Sequence, residues 1–177
     1  MIAAVLRPLA LVALVGVIGS LDGCLESGGT SSPLQPGAPG SPAATAEGSG
    51  TVTGITDGDT LRLEVDGVEL RVRLVGIDTP EVYPEVECFG PEAEDALAEL
   101  APLGSTLAFA YDRDPRDRYD RELMYLFAAD GTFLNYELVA QGYAEALLVE
   151  PNDRYYDDLV AAERDAQRAG LGFWGEC

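Results

Sequence analysis

Thr60-Leu61-Arg62-Leu63-Glu64-Val65-Asp66-Gly67-Val68-Glu69-Leu70-Arg71-Val72-Arg73-Leu74 reads as two alternating runs joined by a two-residue turn. Leu61, Leu63 and Val65 alternate with Arg62 and Glu64 before Asp66-Gly67. After it, Val68, Leu70, Val72 and Leu74 alternate with Glu69, Arg71 and Arg73. A period of two places the apolar set on one face of each strand. Asp-Gly is a strong hairpin signal because the tight turn needs positive φ at both central positions. With residues 66 and 67 as the loop, Asp59 falls opposite Leu74, and Asp59 and Asp78 come to the same end of the sheet.

The flanking sequence extends this hairpin into a small mixed domain. Thr51 to Thr56 reads as a short strand, and Asp57-Gly58 as a turn. Gly90-Pro91-Glu92 starts a helix, with Pro at the first position and acids in the first turn, which runs to Pro102. Ser105 to Tyr111 and Glu122 to Ala129 are strands around an Asp/Arg-rich loop at 112–121. Helices follow at about 135–141, ending at Gly142, and at about 153–168, ending near Gly170. Five short strands and three α-helices predict an α+β fold in which a five-stranded barrel closes on itself and leaves no open edge, the OB-fold solution.

Composition excludes much chemistry. The chain has 177 residues, 31 Asp+Glu against 11 Lys+Arg, no His and 3 Cys, for a formal net charge of -20. Every basic residue is Arg. Without His or Lys there is no Ser-His or Cys-His dyad, no His-ligated zinc or iron, no Schiff-base lysine and no P-loop lysine. Chemistry must run on carboxylates, arginines, tyrosines and a metal. A solvating acidic surface without lysine suits a protein working in multimolar salt, where the Debye length falls to about 3 Å. The alternative, an acidic disordered tail, fits poorly, because the carboxylates are spread through segments with apolar periodicity.

The first 50 residues read as delivery rather than fold. Residues 1–23 form an export signal, with Arg7 ahead of an apolar run from Leu9 to Leu21 that is short for a membrane span. Leu21-Asp22-Gly23-Cys24 is similar to a lipobox, which predicts lipidation of Cys24 and a lipid anchor on the outer face of the cell membrane; ordinary cleavage and secretion is the alternative. Residues 24–50 are a Gly/Ser/Pro-rich tether, reaching on the order of 75 Å when extended. Residues 51–177 are the folded domain. In an exported domain Cys88 and Cys177 read as a disulfide rather than as two free thiols.

Three segments concentrate ligands and guanidiniums on loops or strand ends: Asp57-Gly58-Asp59-Thr60, Arg73 to Glu81, and Asp117-Arg118-Tyr119-Asp120-Arg121. Asp59 and Asp78 offer two carboxylates to a hard cation such as Ca²⁺, and the next backbone carbonyl, that of Thr79, offers a third oxygen. Glu81 stands three residues on, free to orient or deprotonate a water. Arg73 and Arg121 carry planar forks that match a phosphate bidentately. A cation, a carboxylate base and two arginines together suit in-line hydrolysis of a phosphodiester.

At these residues the sequence resembles the thermonuclease family, the staphylococcal-nuclease-like Ca²⁺-dependent nucleases. The family's Asp-Gly-Asp-Thr stands at 57–60, its Arg followed by Asp-Thr-Pro-Glu at 73–81, and its Asp-(Lys/Arg)-Tyr-Gly-Arg stretch at 117–121. Similarity continues at Phe89-Gly90-Pro91-Glu92-Ala93, Gln141-Gly142-Tyr143-Ala144 and Gly170 to Trp174. The resemblance implies an OB-fold nuclease that cleaves DNA and RNA endonucleolytically, prefers single strands, leaves 3′-phosphates and acts as a monomer. It also implies that Asp59, Asp78 and the Thr79 carbonyl ligate Ca²⁺, that Glu81 is the general base, that Arg73 and Arg121 clamp the phosphate, and that Arg118 and Tyr119 contact substrate. The alternatives are a non-catalytic OB-type binding module and a structural Ca²⁺-binding lipoprotein; intact Arg73, Glu81 and Arg121 favour the enzyme.

Two departures matter. Asp120 replaces the usual Gly before Arg121, which predicts weaker substrate binding unless Asp120 points away or pairs with Arg118. Ala146 to Pro151 lacks the tyrosines and lysine that family members often carry there, leaving Tyr155 or Tyr156 to stack on bases. Asp112, Asp114, Asp117 and Asp120 read as a solvated loop, because the EF-hand glycine is missing.

Overall fold

The computed structural model describes residues 46–177; the leader, Cys24 and the tether up to residue 45 lie outside the described residues. Strands β1 (Gly48–Asp57), β2 (Thr60–Val65), β3 (Val68–Leu74), β5 (Thr106–Ala110) and β6 (Glu122–Phe127) form a closed barrel in the order β1-β2-β3-β6-β5. A two-stranded sheet pairs β4 (Ile77–Asp78) with β7 (Glu145–Ala146). Helices α1 (Gly90–Leu100) and α2 (Leu134–Ala140) pack against the barrel, α3 (Tyr156–Ala169) packs on α2 and β7, and a single turn, α4 (Phe173–Glu176), ends the chain.

The hairpin holds the register its turn dictates, with Thr60 opposite Arg73, Leu61 opposite Val72 and Val65 opposite Val68. The Leu74 N–H donates to the Asp59 carbonyl at 2.8 Å, so Asp59 meets the end of β3. Closure comes from a parallel pairing of β3 with β6, Val72 opposite Glu122 and Leu74 opposite Met124. Where these strands diverge, buried Asn135 on α2 fastens them. Its Nδ2 donates to the Val75 carbonyl at 2.8 Å, and its Oδ1 accepts from the Leu126 N–H at 3.1 Å.

Leu61, Leu63, Val72, Leu74 and Leu107 from the barrel share one core with Leu97 of α1, Leu134 and Leu138 of α2, and Leu159 of α3. Each fully buried Leu contributes roughly 1.5–3 kcal/mol relative to exposure. Strand β6 is buried at every position. Its two faces are covered, by the barrel interior on one side and helices on the other, which is why its sequence runs nearly continuously apolar instead of alternating.

The starts of two elements differ from the sequence reading by several residues, and two short strands are new. Strand β1 begins at Gly48 rather than Thr51, because the backbones of Gly48, Ser49 and Gly50 pair with Phe109, Ala108 and Leu107. Helix α3 begins at Tyr156 rather than about 153. The chain before it is held by the 112–114 loop: Asn152 Oδ1 accepts from the Asp114 N–H at 2.8 Å, and Asp112 Oδ2 accepts from the Arg154 N–H at 2.9 Å. Strands β4 and β7 were not foreseen, since two-residue pairings carry no periodicity.

A Cys88–Cys177 disulfide, with Cα atoms 6.1 Å apart, ties the C-terminus to the segment before α1. Among the described residues no helix is long and apolar enough to cross a membrane.

Candidate active site

The turn from β1 to β2 delivers Asp59 into the end of the barrel. Gly58 is required there because a Cβ would sit 2.8 Å from the Ala93 Cβ of α1 and 2.9 Å from Thr79 Oγ1. Asp59 itself is 1% exposed, and every oxygen it presents is engaged. Oδ1 accepts from the Thr60 hydroxyl at 3.0 Å and Oδ2 from the Thr79 N–H at 3.2 Å, while Arg73 Nη1 forms an ion pair with Oδ2. A buried carboxylate without such partners would be strongly destabilising.

Arg73 organises this end of the barrel. At the last turn of β3 its guanidinium spans both acids: Nη2 donates to Asp78 Oδ1 at 2.6 Å and to the Ile77 carbonyl at 3.1 Å, and Nη1 faces Asp59. Asp78 is placed by the short β4–β7 pairing, opposite Glu145. Thr79 is buried and Asp78 exposed, so the site is open on one side.

Glu81 follows at the mouth. Its backbone is bracketed by Glu87, which accepts from the Glu81 N–H through Oε2 at 3.0 Å and donates its own N–H to the Glu81 carbonyl at 2.8 Å. Gly90 leaves room for this bracket, since a Cβ there would lie 2.5 Å from the Glu81 carbonyl oxygen. Burial raises the Glu81 carboxyl above its usual value, and the charges of Asp57, Asp78 and Glu87 add to that rise against the opposing pull of Arg73. A carboxylate held more basic than usual is better suited to take a proton from water.

Arg121 approaches from the other side of the barrel mouth, at the entrance to β6. Asp117 fixes it: Oδ2 accepts from Arg121 Nε at 2.7 Å and Oδ1 from the Arg121 N–H at 2.9 Å. Nη1 reaches to 3.5 Å from the Thr60 hydroxyl, the group that also bonds Asp59. Tyr119 is 57% exposed, with the Arg118 and Arg121 guanidiniums 4.7 and 5.8 Å from its ring centre. Arg118 donates to the Tyr119 hydroxyl at 2.5 Å and has no pairing with Asp120.

The structure thus gathers Asp59, Asp78, Thr79, Arg73 and Arg121 at one end of the barrel, with Glu81 at the edge and Tyr119 stacked beside Arg121. Arg118 is exposed and contacts Tyr119 rather than the carboxylate cluster. Cys24 lies outside the described residues. Tyr155, read as a substitute stacking platform, is buried against Tyr125 and Phe133 with ring centres 4.6 and 5.0 Å away, and belongs to the core. The sequence reading passed over three contributors. Asp57, treated as a turn residue, accepts from the Asp59 N–H at 3.2 Å, and its burial raises its own carboxyl. Asp117 aligns Arg121, and Glu87 brackets Glu81. Only the spacing of Asp117 four residues before Arg121 was a usable signal.

The donor set is all hard oxygen. Asp59 and Asp78 both pair with Arg73, and Asp57 and Glu81 lie within reach of its charge, leaving more acid than one guanidinium neutralises, which a hard divalent cation would offset. Among the described residues no group of three or more Asp, Glu, Cys or His converges as a ready-made metal cage. A cation here would rest on two carboxylates and a carbonyl and complete its shell with water, which fits Ca²⁺ and its flexible coordination of six to eight oxygens.

The profile of the family described as Staphylococcal nuclease homologue matches residues 71–176. The chain belongs to that family. Its match takes in Arg73, Asp78, Thr79, Glu81 and Arg121 and begins after the Asp57–Thr60 turn. The chain is similar to a thermonuclease of Staphylococcus intermedius, 37% identical over 123 residues covering 68% of this chain and 72% of that protein. A thermonuclease of Staphylococcus hyicus is 32% identical with the same coverage. The endonuclease YhcR of Bacillus subtilis is 30% identical over 149 residues, 78% of this chain but 12% of that much longer protein. The closed five-stranded barrel with its helices is the staphylococcal-nuclease-like OB-fold.

Proposed function

We propose that this staphylococcal nuclease family member is an exported, Ca²⁺-dependent endonuclease that hydrolyses phosphodiester bonds of DNA and RNA, preferring single strands. The observation that carries the reading is Arg73 spanning Asp59 and Asp78 at the barrel mouth, with Arg121 held alongside by Asp117. The names of the thermonuclease and endonuclease relatives support it.

Asp59, Asp78 and the Thr79 carbonyl would hold the cation. Bound Ca²⁺ supplies positive charge against the negative charge that gathers on the phosphoryl oxygens. Arg73 and Arg121 contribute the same stabilisation through fixed, always-charged forks, already oriented by Asp78 and Asp117 so that little reorganisation accompanies the reaction. Glu81 takes a proton from the attacking water, the new P–O bond forms in line as the P–O5′ bond breaks, and the departing O5′ takes up a proton from solvent to become the 5′-hydroxyl, leaving a 3′-phosphate. Tyr119 offers its exposed face to an unstacked base, a contact that a single strand makes at least cost.

Export by the leader, with lipidation at Cys24, is part of this reading, and the Cys88–Cys177 disulfide supports an oxidising compartment. A monomer suffices, because every proposed catalytic group comes from one barrel mouth.

The test is digestion of single-stranded DNA in Ca²⁺ or in EGTA. Cleavage that needs Ca²⁺ is expected. A folded protein that cleaves nothing under either condition would overturn the enzyme and leave a binding module.

A further inference from the structure

Asp120 sits directly before Arg121 and carries a charge that would compete with a phosphate for that guanidinium. Its backbone is in the left-handed region, φ 61°, and its side chain is 82% exposed. The carboxylate turns to Arg116, accepting from Nη1 at 3.0 Å. Arg116 is itself held from the other side. Its Nε and Nη2 lie 2.7 and 2.5 Å from Glu122 Oε1, and Glu122, only 8% exposed, also accepts from the Tyr111 hydroxyl at 3.0 Å. An isolated exposed ion pair contributes little, because ordering two long side chains offsets the attraction. Here the buried glutamate has already ordered the guanidinium, and one arm of its planar fork is left facing Asp120.

We propose that Arg116 is a positioning residue for substrate binding: anchored on buried Glu122, it holds the Asp120 carboxylate off Arg121 and so keeps Arg121 free for a phosphate oxygen. This rests on the phosphate-binding role proposed for Arg121. From the sequence, Asp120 weakens binding unless it points away or pairs with Arg118; here it pairs with Arg116 instead. The Arg116–Asp120 pair removes that penalty while it is intact.

The test is a double-mutant cycle on the full chain, reading KM and kcat for single-stranded DNA in Ca²⁺ at the lowest ionic strength at which the wild type stays folded by circular dichroism. R116Q is expected to raise KM about tenfold with kcat within about threefold, because a peripheral charge governs capture more than chemistry. D120N, which keeps a residue tolerant of positive φ, is expected to change KM less than about twofold on its own. R116Q/D120N should return KM to within about threefold of wild type, a coupling that separates the pair from independent effects. If R116Q does not fold, R116K serves, since it keeps a charge toward Glu122 but has no fork to reach both acids; D120N should rescue it likewise. A double variant as poor as R116Q would show that Arg116 acts only through Glu122 and the fold, and would overturn the inference. A several-fold fall in KM from D120N alone would overturn it too, since Asp120 would then be unrestrained in the wild type. Either result in a wild type that cleaves leaves the nuclease standing, whereas a wild type that neither binds nor cleaves overturns both.

Discussion

Asp59 is a carboxylate buried to 1% exposure whose compensation comes from Arg73, Thr60 and the Thr79 N–H. If Ca²⁺ binds there as proposed, it would bind the folded state only and stabilise the protein by mass action, about 2.7 kcal/mol at a hundredfold excess over Kd. The expected result is a melting temperature that rises with Ca²⁺ in the wild type and stays flat in D59N, read by calorimetry. An equal rise in both would place the cation elsewhere. Asp59, Asp78 and Arg73 were legible in the sequence because a two-residue turn fixes hairpin register, and register fixes which residues meet at a strand end. The partner of Asp120 was not. It depends on one positive φ and on a glutamate buried beyond it, and neither leaves a mark on local pattern. Tyr155 misled for the same reason: an aromatic next to a charged helix start looks exposed until the fold turns it into the core.

The loop between β5 and β6 shows how an element with no periodicity is still determined. Asp117 accepts from the N–H groups of Tyr119 and Arg121, both at 2.9 Å, and from the Arg121 side chain, so a single carboxylate shapes the segment that presents Arg121. Burial pushes the Asp117 carboxyl up, but these bonds and the Arg121 charge more than offset it and hold it below the usual 3.8. A depressed carboxyl contributes stability above its unfolded value and loses it as pH falls through the folded value. Asp117→Asn should therefore cost about 1–2 kcal/mol at neutral pH, with the gap to wild type closing below about pH 3.8. Urea unfolding at pH 7 and pH 3 measures it; a gap independent of pH would remove the charge from the explanation. The hairpin, α1 and the all-buried β6 were readable from period, Pro-Glu start and apolar run. The late start of α3 was not, because it is imposed by Asp112 and Asp114, distant in sequence. The disulfide closes a separation of 89 residues, which in the chain-entropy picture contributes about 4.6 kcal/mol.

At the scale of the whole molecule, 31 acids against 11 arginines leave a surface that repels itself. Screening that repulsion favours the compact state. The melting temperature is expected to climb between 0.1 M and 2 M NaCl; a flat or falling curve would contradict adaptation to salt. The same field opposes a polyanionic substrate, so the binding proposed above would fall to the few arginines at the barrel mouth and to the proposed Ca²⁺ rather than to a basic surface. The barrel architecture was legible because the strands of its central hairpin alternate and that hairpin turns at Asp-Gly, while the way its open end is finished rests on short, long-range pairings. The central proposal is that Glu81 drives hydrolysis at that end. The decisive measurement is the single-turnover rate of single-stranded DNA cleavage in saturating Ca²⁺ by wild type and Glu81→Gln. A loss of about 10²–10⁴-fold with DNA binding unchanged is expected; a Glu81→Gln protein that cleaves at the wild-type rate would contradict it.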